Sequence, residues 1–432
     1  MKSRKNLKGL YDNELSKEDR ELLEKFNIKI ENKEYEKDEY YDLLEVPFDR
    51  VVLHSDLNNF FASVEMLFEP SLKDVPMAIC GNEKERCGIV LAKNERAKRY
   101  GIKTGEPVRS AREKCSELVV CKSRYHEYVK YSRLVRLVYL KFTPLVEPFG
   151  IDEAWLDVSA LAKRRGGDLF LAAEKIAEEI KAEVFRETGL SVSVGVSFNK
   201  VFSKLASDMK KTSCPTVISP DKFKGIIGAL PVREILFVGK KTEEILKRNR
   251  FFTLADVARQ KRSYLKQIFG KFGETVWDYA NGLDFSPVSV YTPFEETDSV
   301  SNSRTLPYDI TTFEDAQSVL FSLCESVCDR IRERGMFCKT VQISVRTYDL
   351  HTVTRRLSRK GFTSNVFDVF NDASNLLKDN IDFSKPIRSI GVSLGELQGA
   401  SYEQVSVFDE NKEKDAIDEV IGKLKSKYGD AS

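Results

Sequence analysis

The sequence predicts a multidomain α+β protein whose first folded body is ferredoxin-like. Three observations point there. A chain of 432 residues exceeds what one hydrophobic core organises, so it divides into several domains. From residue 51 the apolar pattern reads strand, helix, strand, strand, helix, strand, which is the ferredoxin-like order with residues 70–140 inserted. Beyond "YTPFEETDSVSNSRTLPYD", further strands alternate apolar and polar residues, the mark of a sheet covered on one face. The ferredoxin-like order hosts many functions and selects none of them.

The elements follow in chain order. Residues 1–46 are densely charged, with one helix candidate, "SKEDRELLEKF", opened by Ser16 with Asp19 three residues later; a solvated appendage is expected. "VVLHSDL" reads as a buried strand and "NNFFASVEMLF" as a helix. "LVEPFGIDEAWLDVS" reads as two strands turning near Gly150–Glu153. "GDLFLAAEKIAEEIKAEVFRETG" is a long amphipathic helix closed by Gly189, and the strand "SVSVGVS" follows.

Next comes "LPVREILFVGKKTEEILKRNRFFTLADVARQ", read as a helix, a turn at Val238–Gly239–Lys240–Lys241 and a second helix. "IFGKFGETVWDYANGLD" adds a second glycine-marked hairpin. Such a turn can aim backbone amides at a phosphate with Lys beside it; a plain helical hairpin is the alternative. In "TVQISVR", Val341, Ile343 and Val345 face one side while Gln342, Ser344 and Arg346 face the other. Thr354, Arg356 and Ser358 share one face of the next strand. A helix over 313–334 would back this sheet.

Composition narrows the options. No apolar run approaches the ~18–20 residues of a membrane span, and the N-terminus lacks a signal peptide's apolar core. The eight Cys form no CxxC pair and only three His are present, which argues for reduced structural thiols rather than a zinc site. Residues 1–50 and 401–432 each carry a net −3 against +2 for the whole chain, so the body between carries +8. From Lys339 to Lys360, six Lys and Arg stand against Asp349 alone. A basic body permits a polyanionic partner; a solvated face is the alternative.

In this layout Asp56 ends the first strand while Asp152 and Glu153 sit at the turn joining the next two. Those strands are expected to be neighbours, which would bring the carboxylates to one place. Clustered like charges repel unless cations neutralise them, and an all-oxygen cluster suits Mg²⁺. Two such ions can activate an attacking oxygen and stabilise a leaving phosphate. Acidic decoration of a hairpin is the competing reading.

"HSDLNNFFASVE", "GIVLAKNERAKRYGIKTGEP", "VEPFGIDEAWLDVS" and "VSVGVSFNKVFSKLASDMKK" stand in order with plausible spacing. Together they resemble the motifs of Y-family translesion DNA polymerases, most closely the bacterial DNA polymerase IV (DinB) branch, from about residue 50 to 408. The resemblance implies a right-hand polymerase. Its parts would be a charged extension (1–46), a ferredoxin-like palm (47–70 and 126–220), small fingers (71–125) and a helix-hairpin-helix thumb (221–292). An α/β little finger (293–400) and a tail (401–432) complete it.

The same resemblance implies that Asp56, Asp152, Glu153 and the Leu57 carbonyl hold two Mg²⁺ ions. Amides at Asn59 and Phe60, with Lys98 and Lys211, would hold the triphosphate. Phe61 would be the steric gate against a ribose 2′-OH, and Phe60 core. Val238, Gly239, Lys240, Lys241, Arg346 and Arg356 would contact DNA. "QVSVF", Gln404 to Phe408, resembles a sliding-clamp peptide anchored by Gln404, Val407 and Phe408. The chain departs from many members at Glu95 and Lys98, where they carry Tyr and Arg, and at Asn58 and Asn59.

Expected partners are therefore template-primer DNA, deoxynucleoside triphosphates and a sliding clamp. A monomer in the bacterial cytosol, with no membrane partner, low fidelity and no proofreading, completes the expectation. Two rivals stand beside it: another palm-type nucleotidyl enzyme such as a cyclase or primase, and a clamp-bound scaffold with a weak active site.

Overall fold

The computed structural model describes residues 17–25, 49–82, 88–209, 214–292 and 298–399. Apart from the stretch 82–88, these form two compact units, the first running to residue 293 and the second beginning at 294.

In the first unit, β1 is Val52–Leu57. An inserted body follows with β2 (Met77–Cys80), β3 (Val90–Lys93) and β4 (Val119–Lys122). Then come β5 (Val146–Pro148), β6 (Glu153–Asp157), β7 (Val192–Ser197) and β8 (Thr216–Ile218). The main sheet has the order β5-β6-β1-β7-β8, with β1 antiparallel to both neighbours and β8 parallel to β7. Its first four strands in space have the expected ferredoxin-like arrangement.

Being central, β1 is buried along its whole length. Its residues alternate between two covered faces. Leu53 and Leu57 enter a core with Phe60, Tyr128, Leu134, Ile176 and Ile180, supplied by the helices Phe60–Phe68, Tyr125–Tyr139 and Leu169–Thr188. His54 points the other way, to Ser207 on the helix Lys200–Met209. Asp56, two residues on, shares that second face.

The insertion is smaller than expected from the sequence. A three-stranded sheet β3-β2-β4 and the helices Glu95–Arg99 and Val108–Lys114 form its own small core. Tyr125–Tyr139 belongs to the main core instead, because its apolar face, Tyr128 to Tyr139, fills the space above β1. The charged N-terminal stretch also differs from a free appendage: the helix Lys17–Lys25 lies beside Tyr125–Tyr139, and Leu22 packs on the main core.

The helix Lys200–Met209 crosses β7 at Gly195. A Cβ there would fall 2.0 Å from the Ser203 carbonyl oxygen and 2.3 Å from the Ser207 nitrogen, both backbone atoms that cannot swing aside. Gly195→Ala is expected to destabilise the first unit by about 1–3 kcal/mol or more. Thermal unfolding checks this, and an unchanged melting temperature would refute the close approach.

After β8 the chain is helical, with a core that includes Phe202, Val232, Leu246, Leu254 and Val276. Two sequence readings are adjusted here. The element before Val238–Gly239 is only the 3-10 turn Val232–Glu234, because Pro231 and an extended Ile235 bound it. Arg262–Phe269 and Lys271–Ala280, by contrast, are joined by Gly270 alone (φ 63°), so the second hairpin is the tight helix-Gly-helix unit.

The second unit is a sheet of β9 (Ser299–Ile310), β10 (Met336–Thr347), β11 (Thr352–Thr363) and β12 (Ile387–Gly395), ordered β11-β10-β12-β9, with Gln398–Gly399 pairing the start of β10. Val341, Ile343 and Val345 are fully buried beneath the helices Phe313–Arg332 and Val366–Asn380. The opposite face is open and polar. Arg356 pairs with Gln342, Thr354 with Ser344, and Thr352 with Arg346, as the alternation predicts. Among the described residues no helix is long and apolar enough to cross a membrane.

Candidate active site

Asp56 lies at the exit of β1 with Glu153 as its register partner on β6 and Ser193 on β7. The Leu57 amide donates to the Asp152 carbonyl at 2.9 Å and the Asn58 amide to the Ser191 carbonyl at 3.0 Å, so the strand exit is pinned on both sides. Asp152 occupies the bend before β6. A Cβ added to Gly150 would stand 3.5 Å from Asp152 Oδ1 and 3.5 Å from Glu153 Cγ, which places both acidic side chains over that glycine.

The electrostatics divide these carboxylates. Burial, then the charges of Asp56 and Glu153, push Asp152 above the ordinary carboxylate range. Burial also acts upward on Glu153, but hydrogen bonds and charge from His54 and Lys204 outweigh it and hold this group low. Lys204 Nζ donates to Glu153 Oε2 at 2.6 Å, and His54 Nε2 lies 3.3 Å from the same oxygen. His54 is fully buried and bonds Ser207 Oγ through Nδ1 at 2.7 Å; burial lowers its pKa, which favours the neutral ring.

The sequence reading missed Lys204, His54 and Lys200, whose Nζ donates to Glu147 Oε2 at 2.6 Å. The spacing in "NKVFSKLASD" carried a signal, since Lys200 and Lys204 fall on one helix face, but it does not say which carboxylates they meet.

Asp56, Asp152 and Glu153 share one sheet end, yet among the described residues no three His, Cys, Asp or Glu side chains already converge as a cation-binding set. Glu153 is turned toward Lys204. The donor set nevertheless fits a hard divalent cation: carboxylate oxygens at a strand exit, one of them strained by its like-charged neighbours.

Asn59 begins the next helix in a left-handed conformation (φ 49°) and its side chain makes no capping bond. Its amide group donates instead to Glu95 Oε1 at 2.9 Å, and Lys98 Nζ donates to the same oxygen at 2.6 Å. Lys211 lies outside the described residues. Phe60 and Phe61 separate as adjacent helix positions must. Phe60 is buried in the main core, while Phe61 is half-buried, its ring stacked on Tyr128 at 4.2 Å and 14°.

The residues expected to meet DNA are spread over both units. The Val238 and Gly239 amides donate within the turn, to the Ile235 and Phe237 carbonyls. Lys240 and Lys241, in the first turn of the helix Lys240–Arg248, have amides that helix geometry leaves without intrahelical partners. In the second unit Arg346 and Arg356 lie on the open sheet face. Gln404, Val407 and Phe408 lie outside the described residues.

Comparison with known proteins fits this geometry. The impB/mucB/samB family model matches residues 55–208, and that family's C-terminal domain matches 297–407. DNA polymerase IV of Acetivibrio thermocellus is 41% identical, covering 88% of this chain and 95% of that protein. The chain belongs to the DNA polymerase IV family. DNA polymerase IV of Clostridium acetobutylicum is 33% identical over 88% of this chain and 96% of its own, and DNA polymerase IV 1 of Bacillus subtilis 33% over 88% and 91%. The fold agrees: a Y-family DNA polymerase chimera superposes with TM-score 0.74 at 23% identity, covering 81% of this chain and 99% of the chimera.

Proposed function

We propose that this chain is a template-directed DNA polymerase of the translesion class, adding deoxynucleotides to a primer 3′-OH without proofreading. The observation that carries the reading is Asp56 in register with Glu153, with Asp152 one residue away, in a chain 41% identical to a DNA polymerase IV over 95% of that protein's length. Asp56, Asp152, the Leu57 carbonyl and Glu153, once swung from Lys204, would hold a divalent cation, for which Mg²⁺ in two copies is our assignment. When bound, such ions neutralise the triphosphate and favour ionisation of the primer hydroxyl.

The chain's own residues do the positioning. The helix beginning at Phe60 offers its first amides to the triphosphate, with Lys98 and Lys211 as point charges. Phe61 stands under the sugar. The palm would comprise 47–70 and 126–220, the fingers 71–125, the thumb 221–292 and the little finger 293–400. The polar sheet face with Arg346 and Arg356 suits a duplex backbone, as do Lys240 and Lys241. Catalysis then rests on alignment and charge. We assign the chain to the bacterial cytosol, in keeping with its bacterial relatives, and as a monomer.

Primer extension on undamaged and lesion-bearing templates tests the whole reading. Nucleotide addition that stops on chelation and returns with Mg²⁺ or Mn²⁺ is expected; none with either ion would overturn it. A second test concerns "QVSVF". Removing residues 404–408 should abolish stimulation by a sliding clamp while extension without the clamp continues, and equal stimulation would discard the peptide.

A further inference from the structure

The side chain of Glu95 is tied to Lys98, assigned above to the triphosphate, and to the side chain of Asn59, whose backbone amide is assigned to the same site. Its Oε1 accepts from Asn59 Nδ2 at 2.9 Å and from Lys98 Nζ at 2.6 Å. These contacts, first Lys98 and then Asn59, hold its carboxyl below the usual range, so the group is an anion at neutral pH.

Both ends of the bridge are rigid. Asn94, buried, caps the helix Glu95–Arg99: its Oδ1 accepts from Ala97 N at 2.9 Å and Met77 N at 3.2 Å, and its Nδ2 donates to the Leu72 and Val75 carbonyls. Asn59 follows a residue whose amide is locked to Ser191 and whose carbonyl accepts from Ser63 Oγ at 2.7 Å. The carboxylate therefore does not drift over the surface; it sits where the two frames place their donors.

An exposed Glu-Lys pair three residues apart on a helix is worth little to the fold. A stability role alone does not explain why a second donor, from another element, is drawn onto the same oxygen. A carboxylate oxygen accepting from an ammonium and an amide presents the hydrogen-bonding pattern of a phosphate oxygen.

We propose that Glu95 sets nucleotide affinity by competing with the triphosphate for Asn59 and Lys98. The proposal rests on the nucleotide-site assignment of those two residues. For a triphosphate to take the Lys98 ammonium and the Asn59 side-chain amide, the Glu95 carboxylate must release both donors and then stands as a like charge beside the phosphates. The competition is blind to the base and raises KM for all four deoxynucleotides alike.

The test is single-nucleotide addition with the full chain on template-primer DNA, titrating each deoxynucleotide for wild type, Glu95→Gln, Lys98→Ala and the double variant. Glu95→Gln should lower KM about two- to fivefold for all four nucleotides, the range an exposed charge contact supports, with kcat moving less than KM. Lys98→Ala should raise KM, and the Glu95→Gln gain should shrink in its background. If Lys98→Ala raises KM while Glu95→Gln leaves it unchanged or raises it, the competition is refuted and the nucleotide site stands. If Lys98→Ala also leaves KM unchanged, the site assignment fails and the inference with it. Glu95→Ala, with a melting curve to confirm folding, repeats the measurement without the amide.

Discussion

Replacing Asp152 by Asn is expected to reduce nucleotide addition by at least about 10²–10³-fold while raising the melting temperature in chelator. The activity loss follows from removing a charge placed where phosphate and cation charge must be balanced. The stability gain follows from the sign of its shift. Burial and the charges of Asp56 and Glu153 raise the folded pKa of Asp152 above its ordinary value. At neutral pH the ionised form is therefore penalised in the fold but not in the unfolded chain, and an amide removes that penalty. Divalent cation should reverse the order. Wild type gains stability as its site fills, by about 2.7 kcal/mol at a hundredfold excess over Kd, whereas the variant gains less. Primer extension and paired melting curves, with and without Mg²⁺, check both halves. Near-normal turnover would remove Asp152 from the site. Equal cation stabilisation would remove it from the ligands.

Much of this was legible in the sequence, for identifiable reasons. β1 reads as a buried strand because a short apolar run leads into it, and it is central and buried along its length, His54 and Asp56 included. That the strands of Asp56 and Glu153 are neighbours follows from the ferredoxin-like order, while their register is set by the structure. The alternation in β10 fixed its faces before any contact was known.

The misses share a cause: local sequence does not state who packs against whom. The strand-helix pattern alone counts Tyr125–Tyr139 in the 70–140 insertion, whereas the palm implied by the resemblance resumes at 126; only tertiary packing assigns the helix to a core. The first half of the Val238 hairpin was read as a helix from its apolar spacing, but Pro231 and Ile235 leave room for one 3-10 turn. Lys204 was passed over because a lysine on an amphipathic helix is by default a solvated one. It becomes informative only once Glu153 is found 2.6 Å away. Glu95 stands out in the sequence only as a departure, because Asn59, one of its two partners, lies 36 residues earlier.

Truncating Phe61 to Ala should open the site to ribonucleotides, raising their use relative to deoxynucleotides by at least about tenfold, or about 1.4 kcal/mol of lost discrimination. The ring is suited to a wall because it is braced. It stacks on Tyr128, whose ring is fully buried and whose hydroxyl donates to Glu65 Oε1 at 2.6 Å. Glu65 is itself buried and accepts from Arg124 Nε at 3.0 and 3.2 Å. Burial and this carboxylate push the Tyr128 hydroxyl up to about 12, so it remains a donor throughout the working pH range. A ring held this way cannot retreat from a 2′-OH without breaking a stack backed by a buried carboxylate that Arg124 pairs from the surface, whereas an unsupported Phe could rotate aside. Tyr128→Ala should therefore also relax sugar selection, though less than Phe61→Ala, because the blocking ring survives but loses its support. Competition between ribo- and deoxynucleotides in primer extension, run where melting curves show each variant folded, measures both. Unchanged sugar selection in Phe61→Ala would end its assignment as the gate, and a larger effect from Tyr128→Ala would transfer the role to the brace.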